Sequence, residues 1–273
     1  MMPKHFSKLL TIAAAMAAFA VAAPFAQATT PAPGYSQFAG CQDPATENSI
    51  ISSCIHSVVK SGHFQMGNKD VPITNPITLS GGTDELLKNF SYNSKGGLVP
   101  AKQTVPGGII GLTGLDWLIN FLNVEQLKLY AVTELAGTPE FAGINKITLP
   151  IKVHLINPVL GNSCYVGTSK SPIALHLITG TTAPPPPNEP ITGKAPEDNF
   201  DFETEILHLD NGTYVDNSFA APGANGCVLN LGLIPVNIDG IINIASGLPS
   251  PAGTNETTQT IDTEIVSTEN VYP

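Results

Sequence analysis

The chain contains no arginine, and only 12 % of its 273 residues are charged. Arginine is the usual bidentate partner of phosphates and guanine edges, so its absence together with a formal charge of -10 argues against nucleic-acid binding. The same balance disfavours anionic membrane surfaces and acidic polymers, and leaves calcium and other hard cations open as partners. Long apolar runs are scarce: after Ala23 no stretch approaches the ~20 residues that cross a bilayer. There is one tryptophan. There is no C-x-x-C or H-x-x-x-H spacing for zinc, no D-x-D-x-D-G calcium loop and no G-x-S-x-G elbow, and no cofactor motif is present.

What is present at the start is a secretory pattern. Lys4, His5 and Lys8 precede an apolar run from Leu9 to Ala23, and Ala26-Gln27-Ala28 has the small-x-small form of a cleavage site. Residues 1–28 read as a signal peptide, 29–40 as a flexible leader and 41–273 as one secreted β-rich domain, with cleavage near Ala28/Thr29 and release from the cell. Phe38-Ala39-Gly40-Cys41 resembles a lipoprotein box, but it does not follow the apolar run directly and would leave three cysteines. The remaining chain of about 245 residues is long enough to bury a core.

Cys41, Cys54, Cys164 and Cys227 all lie beyond the cleavage site. An even count in a secreted chain reads as disulfides, and three pairings are possible. Cys41–Cys54 with Cys164–Cys227 is favoured, the first closing a short loop.

The pattern along the chain is mostly of period two. Ser57–Gln65, Val71–Ser80, Leu127–Leu135, Ile147–Asn157, Ile173–Thr179 and Thr257–Val266 read as strands, with Gly81-Gly82 turning the chain. Asn211-Gly212 between two apolar runs predicts a two-residue hairpin. Two helices interrupt this. One follows Thr113 as N-cap and carries Leu115, Leu118, Ile119 and Leu122 on one face; the other spans 235–245 and stops at Gly247. Pro184 to Pro187 reads as an extended surface link. The expected architecture is a mainly β, antiparallel, sandwich-like single domain with two short helices and two disulfides.

Candidate sites are few. His154, His176 and His208 sit between apolar neighbours and belong to the solvent face of their strands. Symmetric pairing around Cys164 would set His154 opposite His176, a candidate surface zinc or copper pair. Ser163, Thr168, Ser169 and Ser171 near His176 suggest a hydrolase, but no base stands at a defined spacing. Ser57-Val58-Val59-Lys60 matches S-x-x-K without its companion motifs. Glu197 to Glu205 alternates acids with Phe200, Phe202 and Ile206, the pattern of a solvated strand that blunts a sheet edge. Trp117, Leu118, Phe121 and Leu122 form a strongly apolar helix, either a plug for the end of the sandwich or a lid on an apolar ligand site. Asn89, Asn211 and Asn255 are in glycosylation sequons.

The stretches "VTELAGTPE" (132–140), "LPIKVHLINPVLGNSCYVGTSKSPIALHLITGTTAPPPPNEPITG" (149–193), "VDNSFAAPGANGC" (215–227) and "GLPSPAGTNET" (247–257) resemble a group of uncharacterised secreted actinobacterial proteins. The resemblance implies secretion and, because Cys164 and Cys227 fall in two of these elements, their pairing; it implies no activity. The expectation is therefore a secreted, non-enzymatic structural or binding module acting extracellularly or on the cell surface. The alternatives are an extracellular carrier of an apolar, lipid-like ligand, and a serine hydrolase built on Ser169 or Ser171 with a strand histidine.

Overall fold

A computed structural model describes residues 30–273 apart from 48–49, 85–88, 116–121, 231 and 233. The stretch read as a signal peptide, its cleavage site, and Trp117, Leu118 and Phe121 therefore lie outside the described residues. In chain order the strands are β1 (Ser53–Met66), β2 (Lys69–Ile73), β3 (Ile77–Thr83), β4 (Phe90–Ser91), β5 (Gly97–Val99), β6 (Lys102–Thr104), β7 (Tyr130–Leu135), β8 (Glu140–Phe141) and β9 (Lys146–Ile156). Then follow β10 (Tyr165–Val166), β11 (Ile173–Ile178), β12 (Glu197–Asp201), β13 (Ile206–Asp216), β14 (Ala224–Asn225), β15 (Val228–Leu229), β16 (Val236–Asn237) and β17 (Glu256–Ser267). The helices are short: α1 (Pro44–Glu47), α2 (Gly108–Thr113), α3 (Val124–Leu127), α4 (Asp239–Ser246) and α5 (Thr268–Val271).

Fifteen strands form one antiparallel sheet whose main path runs β14-β10-β9-β11-β13-β17-β1-β3-β4. β7 extends β9 on its other edge, and β2 and β5 extend β1 and β3. The sheet curls until Ala131 of β7 and Leu98 of β5 face Leu149, Ile151 and Leu175 across a common interior. β9 shows why: from Ile147 to Ile156 its residues alternate between buried and half-buried, so one face must be covered. The seam is bridged by Gln103 of β6. Its buried carboxamide accepts from the Thr74 and Asn75 amides (2.9 and 3.0 Å) and donates to Asn75 O (2.7 Å). The break at residues 74–76 divides the single strand predicted for Val71–Ser80 into β2 and β3.

Both disulfides form as favoured, Cys41–Cys54 and Cys164–Cys227. The segment read as a leader is docked from Ala32 onward. The Ala32 amide donates to Val271 O, Tyr35 Oη donates to Thr204 O, and Phe38 is fully buried in a second apolar cluster with Ile51, Ile206, Val266 and Val271. Cys164 staples the bend before the tight Thr168–Ser171 turn, which leads into β11.

Several local expectations are corrected. Thr113 is not an N-cap; it ends α2, its Oγ1 donating to Ile109 O, and Gly114 takes the left-handed C-cap (φ 67°). Asn211-Gly212 makes no hairpin. It is a bulge inside β13, with Asn211 at φ 57° where the register against β17 slips between Leu209 and Gly212. A positive-φ Asn-Gly pair serves either structure, and the pairing of β13 with β17 on both sides of it selects the bulge. Gly81 and Gly82 make no turn either. They lie in β3, where a Cβ at Gly81 would meet the Phe90 ring at 2.5 Å and one at Gly82 the Cys41 sulfur at 3.0 Å. Phe200 and Phe202 do not form a buried face: β12 ends at Asp201, and the two rings sit 43 % and 86 % exposed on the sheet edge. The helix ending at Gly247 is α4, capped at φ 67°.

Candidate functional site

His154 and His176 are not brought together. On β9, His154 pairs with Val132 of β7 and Tyr165 of β10, whereas His176 of β11 pairs with Thr148, six positions away along β9. The symmetric register assumed around Cys164 fails because the turn into β11 starts the new strand opposite Ile151. Among the described residues no group of three or more His, Cys, Asp or Glu side chains is arranged to hold a metal ion.

The outer face carries instead a series of cross-strand pairs between carboxylates and bases. His154 stacks on Tyr165 with centroids 4.3 Å apart and has Nδ1 3.4 Å from Glu134 Oε1. Lys152 reaches Glu134 Oε2 at 3.1 Å and lies 4.6 Å from the Tyr165 centroid. Both neighbours of the ring are thus occupied, and partial burial, with Glu134 next in weight, raises the Tyr165 pKa. His63 lies between Asp70 (3.0 Å) and Glu256 (3.8 Å).

Glu264 of β17 stands between His56 of β1 and His208 of β13 in one row. It accepts from Gln37 Nε2 at 3.1 Å, and its Oε1 is 3.5 Å from His208 Nδ1. Phe38 lies edge-on to His56. Burial under this segment holds the His56 pKa below its ordinary value, although Glu264 and the Gln37 backbone pull the other way. Lys60 of β1 is 2.7 Å from Asp262 of β17.

The hydrolase candidates do not assemble. Ser169 and Ser171 are exposed in the turn before β11, and His176 Nδ1 lies 3.3 Å from Thr148 Oγ1. Ser57 of the S-x-x-K match shares a hydrogen bond with Thr263 inside the sheet (2.9 Å). On the acidic edge Asp201 accepts from Thr204 Oγ1 and from the Glu203 amide, which hold its pKa low; Lys194 does the same for Glu197.

Inside the curled sheet lies an apolar cavity of about 60 Å³ walled by Val59, Phe64, Met66, Val71 and Leu175. A second of about 40 Å³ shares Met66, Val71, Ala131 and Val153, and reaches Ile242 of α4 and Leu112 of α2. Leu122, described and buried, belongs to the same apolar core. The end of the sheet is closed by α2 and α4, with Lys69 Nζ donating to Gly111 O at 2.7 Å.

A buried polar layer had no sequence signal. Asp216 is fully buried and accepts from the His176 amide (2.7 Å), the Ser218 amide (2.8 Å) and Ser218 Oγ (2.7 Å). Asn255 is fully buried too. Its Oδ1 accepts from the Gly67 amide and Ser250 Oγ, and its Nδ2 donates to Phe219 O and Pro251 O. All four hydrogen-bonding positions of that carboxamide are filled, so its sequon is closed in the folded chain. Alternation gave no hint because both residues lie at strand ends, where backbone groups lack ladder partners.

The fold and its outer-face pairs define a disulfide-stapled antiparallel β protein. No family model, curated protein or solved structure matches the chain. Among the described residues no helix is long and apolar enough to cross a membrane.

Proposed function

We propose that the chain works outside the cell as a non-enzymatic structural or binding module. The observation that carries this reading is the pair of disulfides: all four cysteines are paired, and each bridge ties a loop or terminal segment onto the sheet. Such bridges persist in oxidising compartments and are rare in the cytosol. The secretory pattern of residues 1–28 and the resemblance to secreted actinobacterial proteins point the same way. The cross-strand pairs of the outer face and the hydrogen-bonded buried layer suit a rigid scaffold.

A second reading, a carrier of an apolar ligand, draws on the two adjoining cavities. Their volumes of about 60 and 40 Å³ fall well short of the ~300–1,000 Å³ that encloses a drug-sized ligand. Loading would therefore require Met66, which walls both cavities and is the most adaptable of their side chains, to swing aside. Native mass spectrometry of protein recovered from culture medium tests both readings. A chain starting near Thr29, lighter by four hydrogens and carrying nothing, supports the module. Extra mass released on denaturation replaces it with the carrier, and retention of the chain inside the cell overturns both.

A further inference from the structure

We propose that Lys60 and Asn211 are poised to form a side-chain amide cross-link, with Asp262 between them handling the protons. β17 is flanked by two bulges at one level. On β1 the register slips between Val59 and Ser61, leaving Lys60 outside the ladder. On β13 it slips between Leu209 and Gly212, leaving Asp210 and Asn211 outside it. Bulges re-aim side chains, and these two turn Lys60 and Asn211 toward the same residue of the strand between them. Lys60 Nζ is 2.7 Å from Asp262 Oδ2 and 2.9 Å from Asn211 Oδ1. The other carboxylate oxygen accepts from the Asn211 backbone amide at 2.8 Å. The amine, the carboxamide carbon it would attack and a carboxylate able to take its proton are thus held together by one bulge on each side.

The reaction needs no co-reactant. The Lys60 ammonium gives a proton to Asp262, and the freed Nζ lone pair bonds to Cγ of Asn211. The tetrahedral intermediate that results transfers a proton from Nζ to Nδ2, and the Cγ–Nδ2 bond breaks. Ammonia leaves and takes the proton held by Asp262, so the products are an Nζ–Cγ amide, ammonium and the original carboxylate. The amine must give up its proton before it can attack, and Asp262 is the group placed to receive it. The Lys60 and Asp262 side chains are 40 % and 29 % exposed, so water competes and the bond forms slowly after folding. The free amine is the reactive species, so the rate rises with pH. The product would clamp β1 to β13 across β17 independently of either disulfide.

Peptide mapping of the full secreted chain, held at about pH 9 and then reduced, tests this. The expected result is a loss of about 17 Da, one ammonia, with the peptide bearing Lys60 joined to that bearing Asn211 and no tryptic cleavage after Lys60. Asp262→Ala should slow the reaction by at least ~100-fold while the chain still folds, and Lys60→Arg should abolish it. The Gly212 amide can also expel ammonia from Asn211 by forming a cyclic imide. Persistence of the mass loss in Lys60→Arg would therefore overturn the proposal, as would recovery of both peptides unlinked from the natural chain.

Discussion

The backbone amide of His176 donates to the buried carboxylate of Asp216 at 2.7 Å, at a place where β11 and β13 share one ladder pair, Ile178 with Val215. A side chain here does the work of a missing backbone partner. The Ser218 amide and hydroxyl occupy the other oxygen. Replacing Asp216 by Ala takes the acceptor from three donors. Unsatisfied buried donors and lost charge-assisted bonds each weigh about 1–3 kcal/mol, so the variant should lose about 3 kcal/mol or more in urea unfolding. Asp216→Asn, which keeps one acceptor, should lose less. Equal losses in the two variants would show that the acceptor count is not what matters.

The two disulfides should differ in weight. Cys164–Cys227 spans 63 residues and Cys41–Cys54 spans 13. On the chain-entropy account the longer loop contributes about 4 kcal/mol and the shorter about 3 kcal/mol. Thermal unfolding of the two double serine variants should therefore rank Cys164→Ser/Cys227→Ser as the less stable. The reverse order would mean that docking of residues 32–41 through Phe38, which the Cys41 bridge anchors, outweighs loop entropy.

Two glycines should respond with opposite sign. A Cβ at Gly81 meets the Phe90 ring at 2.5 Å in a closed core, and overpacking of this kind costs ~1–3 kcal/mol. Gly240 lies in α4 at an ordinary φ with nothing within 4 Å, so Ala there should stabilise by about 0.5 kcal/mol through helix propensity and a less flexible unfolded chain. Denaturant midpoints of Gly81→Ala and Gly240→Ala check both signs at once.

The elements whose existence follows from alternation alone were legible: β1, β9, β11 and β17 fall where period-two runs predict them, and the cysteines paired as favoured. What was not legible depended on partners distant in sequence. Asn211-Gly212 has the local chemistry of a hairpin, and β17, fifty residues on, makes it a bulge. Gly81-Gly82 looks like a turn until Phe90 and Cys41 are seen to need the space. The spacing of His154 and His176 about Cys164 says nothing of register, which the pairing of Ile173 with Ile151 sets. The contact of Lys60 with Asn211 joins residues 151 apart and rests on two bulges that no local pattern announces.

Stability should fall at both ends of the pH scale, through two different residues. His56 is held neutral by burial, with Glu264 facing it from β17. Its folded pKa is depressed, so the unfolded chain binds the proton more readily. Stability is full above the ordinary histidine value near ~6.5 and falls as the pH drops below it. Tyr214 is the opposite case. Burial pushes its phenol up to about 12, and its hydroxyl donates to Ile144 O. The folded chain then holds its proton where the unfolded chain releases it. That stability is complete below pH ~10 and is lost between there and about 12, on the order of 3 kcal/mol in all. Urea unfolding across the range should show both declines. His56→Gln should flatten the acid limb and leave the alkaline one, and Tyr214→Phe should do the reverse. If His56→Gln leaves the acid limb unchanged, protonation of the paired surface carboxylates, not a neutral histidine beneath Phe38, governs unfolding in acid.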